Sequence, residues 1–241
     1  MFKILKKKYS ITFDLDWAPD FAIEKCLDIL SKFNIKSTFF STHHTDFNQE
    51  ILRQGHCLGI HPNFLTNSSH GNSINQIIEN CLKFNPNAWC MRSHSLFQSS
   101  ILLYKIFKTF PQLKLDLSLF MHRAKYVQRT KWEYGGVSFD RIMYNWEDDA
   151  EFSNKRFSKK ENIFFGNTTI FNFHPIHVFL NSYDGSEYNN LKNSINNKKL
   201  NKISLASAKK FYNNKSNGIQ FFLRKVLSSS RARSISLGDV K

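Results

Sequence analysis

Short runs of hydrophobic residues alternate along this chain with longer segments in which hydrophobic residues recur every three or four positions. The short runs are typical of buried strands, and the longer segments are typical of helices that bury one face. The predicted strands are 9–14, 37–40, 57–60, 88–91, 113–117 and 169–173. The predicted helices are 20–33, 47–54, 74–84, 99–110 and 219–227. Alternating strands and helices with short connections predict a parallel α/β architecture, either a barrel or an open sheet.

Three stretches interrupt this alternation. Residues 120–162 follow no regular pattern, residues 181–201 are polar and rich in Asn and Lys, and residues 228–241 carry little hydrophobic periodicity. We therefore expect an irregular section, a long loop and a frayed C terminus in these places.

The charge of the chain is uneven. It has 34 Lys and Arg against 19 Asp and Glu, a formal net charge of +15, and residues 198–241 hold 11 of the basic residues with a single acid. The length of 241 residues suits one domain. We expect a main domain over residues 1–200 and a basic, partly helical extension over residues 201–241. Such an extension can contact an anionic membrane surface or a phosphorylated substrate, with nucleic acid less expected and a solvated surface as the plain alternative.

The cysteines and the hydropathy of the chain bear on its compartment. The four cysteines, Cys26, Cys57, Cys81 and Cys90, form no C-x-x-C pair, which suits buried thiols in a reducing compartment. The basic first residues lead directly into a predicted strand, and no apolar run is long enough for a signal peptide or a membrane span. The expected location is the cytoplasm.

Polar side chains follow the predicted strands at the points where the strands end. In parallel α/β folds these carboxyl ends form the ligand-binding edge. Five such ends carry Asp, His or Arg, the residue types of a metal-dependent hydrolase: Asp14 and Asp16, His43 and His44, His61, Arg92 and His94, and His174 and His177. The sequence therefore predicts one site built from distant segments.

The D-x-D motif of Asp14 and Asp16 allows one carboxylate to bind a cation while the other acts as a base. A turn or helix cap, or the metal–nucleotide site of a glycosyltransferase, would use the same motif. His61 and His70 are candidate ligands for zinc or a similar ion, and two histidines with one carboxylate leave room for water. Either histidine alone could equally be a structural hydrogen-bonding residue.

Several motifs in order give a more specific indication. Thr12-Phe-Asp-Leu-Asp16, Ser37-Thr-Phe-Phe40 and Gly59-Ile-His61 resemble the start of polysaccharide deacetylases with the NodB-homology domain. Phe13-Asp-Leu-Asp-Trp-Ala-Pro-Asp20, Gly59-Ile-His-Pro-Asn-Phe64, Met91-Arg-Ser-His-Ser95 and Phe173-His-Pro-Ile-His177 look like the WbmS-type branch of that family, which is associated with surface polysaccharides. The resemblance covers about residues 9–180. It implies an irregular (β/α)7-type barrel with parallel strands.

The resemblance also implies roles for individual residues. Asp14 matches the general base, Asp16 and His61 match metal ligands, Arg92 matches the residue that orients the base, and His174 or His177 matches the general acid. The match departs from the family in two places. Leu15 separates two aspartates that are usually adjacent, and Leu65 occupies the position of the second metal histidine, for which His70 is the expected substitute.

Further candidates come from the neighbourhood of these motifs. Asn63 and His94 are expected substrate contacts, with a metal contact also open for His94. Trp17 and Trp146 are candidates to stack on a sugar face, whereas most of the 24 Phe are expected in the aromatic core. Asp148, in an acidic cluster, is a candidate to orient a histidine, and a solvated loop is an equal alternative.

These expectations combine into a hydrolase hypothesis. The chain is expected to use a divalent metal, with Zn²⁺ favoured, to deacylate an N-acylated amino sugar that is nucleotide-linked, lipid-linked or part of a polysaccharide. One alternative is a D-x-D glycosyltransferase or phosphoesterase. The other is a non-catalytic protein that binds glycan or nucleic acid through its basic end.

Overall fold

A computed structural model of the chain describes residues 7–155, 157, 163–195 and 199–240. The strands are β1 (Lys7–Asp14), β2 (Thr38–Ser41), β3 (Cys57–Ile60), β4 (Cys90–Met91), β5 (Leu115–Phe120), β6 (Arg129–Tyr134), β7 (Val137–Tyr144), β8 (Trp146–Glu147), β9 (Thr168–Phe173) and β10 (Ala232–Ser234). The helices are α1 (Asp20–Phe33), α2 (Phe47–Arg53), α3 (Ile74–Leu82), α4 (Ser100–Thr109), α5 (Pro175–Leu180), α6 (Ser186–Ser194), α7 (Leu205–Lys209) and α8 (Ile219–Leu227).

The strands form a closed, irregular parallel barrel. β1, β2, β3, β4, β5 and β7 pair in parallel in that order, and β8 pairs in parallel with β9, which pairs with β1. Only Asn145 separates β7 from β8, and it exchanges hydrogen bonds with Ile170 of β9, so the continuous β7–β8 segment joins β5 on one side to β9 on the other. Counting them together gives seven parallel strands. The predicted irregular (β/α)7-type barrel is confirmed.

Aromatic side chains fill much of the core between the barrel and its helices. Phe13 and Phe39 stack with ring centroids 4.7 Å apart. Helix α1 packs against α5 and buries Ile23, Cys26 and Leu30. Its hydrophobic residues recur at helical spacing, and for this reason the pattern predicted its buried face correctly.

An antiparallel hairpin lies in the stretch that was expected to be irregular. β6 and β7 pair in antiparallel fashion across a turn at Gly135 and Gly136, which have φ angles of 56° and 74°. Two consecutive left-handed residues are required by a type I′ turn, and glycine adopts that conformation without strain. β6 is largely exposed and its polar sequence lacks the apolar run of a buried strand.

The C-terminal segment completes the barrel domain. β10 pairs in parallel with the first residues of β1, and Ile235, Leu237 and Val240 are buried. Helix α8 contributes Phe222 and Leu223 to the same core as β1. The expected frayed C terminus was therefore wrong for residues 228–240. Helix α6 likewise replaces much of the expected loop over residues 181–201, of which 196–198 lie outside the described residues.

No helix in the described part of the chain is both long enough and apolar enough to cross a bilayer.

Candidate active site

The carboxyl ends of the barrel strands surround a polar cavity of about 200 Å³. Side chains from five segments that are distant in sequence line it: Asp14, Asp16, His61, Ser93, His94, Ser95, Leu96, Tyr144, Glu147, Asp149 and His174. Four of the five expected strand ends meet at this site, whereas His43 and His44, which follow β2, do not line the cavity.

The D-x-D motif brings both carboxylates to this cavity. Asp14 is the last residue of β1, and the fully buried Leu15 points away into the hydrophobic core. Asp14 and Asp16, on either side of Leu15, both line the cavity. The chain then turns sharply, because Asp16 and Trp17 have φ angles of 43° and 53°. Such left-handed conformations cost non-glycine residues of order 1–3 kcal/mol each and cluster at functional sites.

Three side chains from different loops form a candidate metal centre. Asp16 Oδ1 lies 3.1 Å from His61 Nε2 and 3.0 Å from His94 Nδ1, and the two histidine nitrogens are 3.4 Å apart. His61 Nδ1 donates a hydrogen bond of 2.7 Å to the carbonyl of Arg92. That bond fixes the ring so that Nε2 faces the carboxylate, a common arrangement for a metal-binding histidine. One carboxylate and two imidazoles fit a divalent cation such as Zn²⁺.

The close packing of acids and histidines shifts their proton affinities. Burial on its own raises the pKa of Asp16, but hydrogen bonds from His61 and His94 outweigh it and hold that pKa well below its ordinary value. Burial lowers the pKa of His61, whereas the charges of Asp14 and Asp16 raise it, and the net effect is a raised pKa. Asp16 therefore stays anionic and provides the negative charge that a cation would neutralise.

Asp14 is held by a buried polar network inside the barrel. Arg92 Nη1 donates to Asp14 Oδ1 at 2.9 Å, and Asn172 Nδ2 donates to Asp14 Oδ2 at the same distance. The fully buried guanidinium of Arg92 lies between the rings of Phe40 and Tyr144, 4.5 Å and 4.1 Å from their centroids. This sandwich leaves Arg92 little freedom, so the carboxylate of Asp14 is fixed in orientation.

His174 forms a second acid–histidine pair across the cavity. Its Nδ1 donates to Asp148 Oδ1 at 2.6 Å, and its Nε2 lies 3.6 Å from Asp16 Oδ2. Burial alone lowers the pKa of His174, but the charge and hydrogen bond of Asp148 raise it well above its ordinary value. The pairing with Asp148 thus favours the protonated form of His174, whose Nε2 faces the site.

His177 does not line the cavity. It is buried one turn into α5, where its Nδ1 contacts Ser182 Oγ at 3.1 Å, and burial lowers its pKa well below the ordinary value. Of the two histidines that the sequence left open as the acid, His174 is the one that the structure places at the site.

His70 lies away from the candidate metal centre. Its Nδ1 accepts a hydrogen bond from the backbone N–H of Asn63 at 3.1 Å, and its Nε2 donates to the carbonyl of Thr42 at 2.6 Å. Both ring nitrogens are occupied by backbone groups, so the expected substitution of His70 for the second metal histidine does not fit this geometry. His94 Nδ1, in contrast, lies 3.0 Å from Asp16 Oδ1 and 3.4 Å from His61 Nε2.

The remaining expected substrate contacts, Trp17, Trp146 and Asn63, differ in their position relative to the cavity. Trp17 is partly exposed beside the cavity, and its ring packs edge-on against His94 at 5.2 Å. Trp146 is buried in the core and stacks on Phe222 at 4.8 Å, so the expected stacking of Trp146 on a sugar was wrong. The side chain of Asn63 accepts a hydrogen bond from the N–H of Leu65, which shapes the loop between His61 and His70.

Sequence reasoning missed three side chains of the site. Glu147 Oε1 accepts hydrogen bonds from Tyr144 at 3.0 Å and from Asn172 at 2.9 Å. Burial, with the charges of Asp149 and Asp14, raises the pKa of Glu147 to about 7. Asn172 lies in β9 opposite Thr12 of β1. A polar residue within an otherwise apolar strand was a usable signal for Asn172, whereas Tyr144 and Glu147 lie in the stretch without a readable period.

Comparisons with known proteins agree with this geometry. The profile of the family described as WbmS-like polysaccharide deacetylase matches residues 11–192. No curated protein sequence matches the chain. The chain is similar in structure to a Bordetella bronchiseptica protein, WbmS, assigned as a polysaccharide deacetylase involved in O-antigen biosynthesis. The two are 26% identical with a TM-score of 0.77, over 93% of this chain and 90% of the other.

Two more distant structures share the fold. A peptidoglycan N-acetylglucosamine deacetylase is 14% identical with a TM-score of 0.51, over 98% of this chain and 88% of the other. A family 4 carbohydrate esterase pseudoenzyme from Bacillus anthracis is 13% identical with a TM-score of 0.50, over 98% of this chain and 65% of the other. With the family profile spanning most of its length, this chain belongs to the WbmS-like polysaccharide deacetylase family.

Proposed function

We propose that this protein is a metal-dependent deacetylase that hydrolyses the N-acetyl or another N-acyl group of an amino sugar. The observation that carries the proposal is the meeting of three units in one cavity: the carboxylate of Asp14 held by Arg92, the His174–Asp148 pair, and the cluster of Asp16, His61 and His94. The fold alone would not carry it, because a pseudoenzyme shares that fold.

The proposed metal ligands are Asp16, His61 and His94. Their donor atoms all lie within 4.8 Å of one another, and the set of one oxygen and two nitrogens suits Zn²⁺ over a harder cation such as Mg²⁺. When bound, a divalent cation polarises an amide carbonyl and lowers the pKa of water.

Asp14 and His174 supply the proton transfers. In the proposed reaction, Asp14 accepts a proton from the attacking water while the water oxygen bonds to the amide carbon. The C–N bond then breaks, and His174 Nε2 donates its proton to the departing amine, giving a carboxylic acid and a free amino sugar. The raised pKa of His174 supports this role, because a general acid must hold a proton near neutral pH.

The linkage of the substrate and the location of the enzyme are finer parts of the proposal. The similar Bordetella protein is described as involved in O-antigen biosynthesis, which supports a glycan precursor linked to a nucleotide or a lipid as the substrate. We place the reaction in the cytoplasm, with the basic residues beyond 198 near the inner surface of the membrane, where anionic lipids attract Lys and Arg.

A phosphate-directed reaction at the same aspartates is less well supported. Among the described residues, no Lys or Arg side chain lines the 200 Å³ cavity, and Arg92 beneath it already donates to Asp14. A D-x-D glycosyltransferase or phosphoesterase would need positive groups against the phosphates at this point.

The test is acetate release by the purified, zinc-loaded protein from N-acetylhexosamines that are free, nucleotide-linked or lipid-linked. We expect Asp14→Asn to lower kcat by roughly 10²- to 10⁴-fold, the usual contribution of general base catalysis. The exposed Asp28→Asn on α1 is the matched control and should keep wild-type activity. Sugar transfer without acetate release, or full activity in Asp14→Asn, would contradict the proposal.

A further inference from the structure

A second, larger cavity adjoins the candidate active site. Its volume is about 470 Å³, against about 200 Å³ for the catalytic cavity, and Asp16 lines both of them. The walls of this side cavity come from the loops after β1, β2 and β3, from helix α6 and from residues 199–201. A substrate whose N-acyl group reaches the aspartates can therefore extend into it.

The side cavity has an aromatic wall and a positive rim. Trp17 stands between the two cavities, in ring contact with His70 at 5.5 Å as well as with His94. Tyr188 and Lys192 are four residues apart on α6 and so share a face, with the Lys192 ammonium 5.6 Å from the Tyr188 ring centroid. Lys199 lines the same cavity.

The charge of the side cavity differs in sign from that of the catalytic cavity. Asp16 is the one carboxylate among its lining residues, and that carboxylate is committed to His61 and His94. Lys192 and Lys199 line this cavity and are exposed, so an anion in the cavity can reach them from solvent. The catalytic cavity, in contrast, is lined by Asp14, Asp16, Glu147 and Asp149 without a Lys or Arg.

Buried polar atoms in the side cavity lack partners. His43 is only 7% exposed, and its Nε2 has no hydrogen-bond partner among the described residues, nor does Oδ1 of Asn201. Both residues line the side cavity. Buried polar atoms are paired in most proteins, and the acceptor Oδ1 of Asn201 is placed to take a hydrogen bond from a ligand hydroxyl group in the side cavity.

We propose that the side cavity binds the phosphate-bearing part of the substrate, with a diphosphate held by Lys192 and Lys199 and the adjoining sugar against Trp17. This inference rests on the proposed function, because it takes the N-acyl group to lie at Asp14 and Asp16. It adds the chemical class of the substrate: an N-acyl amino sugar carried on a diphosphate, not a neutral polysaccharide.

The first experiment compares substrates. In the zinc-loaded protein, the Lys192→Met/Lys199→Met variant should lose about tenfold in kcat/KM for UDP-N-acetylglucosamine and stay within twofold for free N-acetylglucosamine; charged hydrogen bonds at a partly exposed site justify that size. N-acetylglucosamine diphosphate on a short polyprenyl chain, in detergent, forms the second arm. The diphosphate substrate with the higher kcat/KM identifies the carrier as a nucleotide or a lipid. An equal loss for the free sugar, or no loss on either diphosphate, would overturn the proposal.

The second experiment needs no catalysis. Calorimetric titration with UDP should show binding to the wild-type protein that weakens about tenfold in the double variant. It should be unchanged in Lys32→Met/Lys105→Met, which removes two exposed lysines from α1 and α4. Lysine-dependent UDP binding without acetate release from any substrate would refute the deacetylase and keep the diphosphate site. If the protein releases acetate but neither lysine double variant weakens UDP binding, the diphosphate site alone is refuted.

Discussion

The mouth of the barrel and the framework beside it use histidine in opposite ways. The mouth histidines, His61, His94 and His174, each have a ring nitrogen within 3.6 Å of a carboxylate oxygen of Asp16. The framework histidines, His56, His70 and His177, bond instead to backbone groups or to a hydroxyl. All six are largely buried or half-buried, so burial does not distinguish the two groups.

The difference between the groups lies in the charge of their partners. Carboxylates outweigh the effect of burial and raise the pKa of His61 and His174. Burial without a carboxylate partner lowers the pKa of His56, His70 and His177. A histidine at a strand end is therefore suited to catalysis or metal binding only where an acid meets it, and the acid comes from another segment of the chain.

The largest difference in kcat is expected between variants of His174 and variants of His177, the framework histidine three residues later. His174→Gln removes the proposed proton donor and should lower kcat by roughly 10²- to 10⁴-fold. His177→Gln should change kcat by less than tenfold, because the residue faces the core and Ser182. Steady-state acetate release, with zinc content and circular dichroism of both variants as controls, makes the comparison. Similar losses of kcat in the two variants would contradict the assignment of His174, and not His177, as the proton donor.

Substitution of His94 should weaken metal binding, whereas substitution of His70 should not. His94→Ala should weaken Zn²⁺ binding by more than the 10- to 100-fold typical of residues that only support a metal ligand. His70→Asn should keep stoichiometric zinc but lose about 1–3 kcal/mol of stability, since the buried N–H of Asn63 or the carbonyl of Thr42 loses its partner. Equilibrium dialysis and urea unfolding provide the two measurements. Loss of zinc in His70→Asn with retention in His94→Ala would reverse our assignment.

The smallest effect concerns His56, a framework histidine far from the cavity. Its Nδ1 accepts a hydrogen bond from the N–H of Ser37 at 3.1 Å, and burial lowers its pKa from 6.5 to about 4. The unfolded chain therefore binds more protons between these values, and stability should fall as the pH drops from about 6.5 to about 4, by roughly 1–3 kcal/mol from this residue. His56→Asn keeps an acceptor without titrating, so its unfolding free energy should fall less steeply over that window. An unchanged slope would exclude His56 as a source.

The spacing of hydrophobic residues along the chain predicted most of the fold. Helices such as α1 and α8 and strands such as β3 were predictable because each buries one face or one short run, and the spacing of hydrophobic residues records that burial directly. The β6–β7 hairpin and β10 were not predictable in this way. β6 is largely exposed, and β10 is three residues long and, within the described chain, pairs only with the first residues of β1.

The site was predictable as a set of positions and less so as a set of roles. Strand ends in a parallel barrel meet at one mouth, so Asp14, Asp16, His61 and His174 could be placed together from the chain alone. The choice of His94 over His70 could not be read from spacing. It depends on which ring nitrogens the backbone already occupies, at Asn63 and Thr42 for His70.

The order of strands, helices and strand-end residues along the chain was enough to indicate a parallel barrel and a polar mouth, because hydrophobic spacing and chain direction are local properties. The partners of each polar side chain were not contained in that order. Trp146 packs in the core, Asp148 pairs with His174 and Asn172 pairs with Asp14, over separations of up to 158 residues, because packing in three dimensions decides which polar atoms are left to meet a ligand.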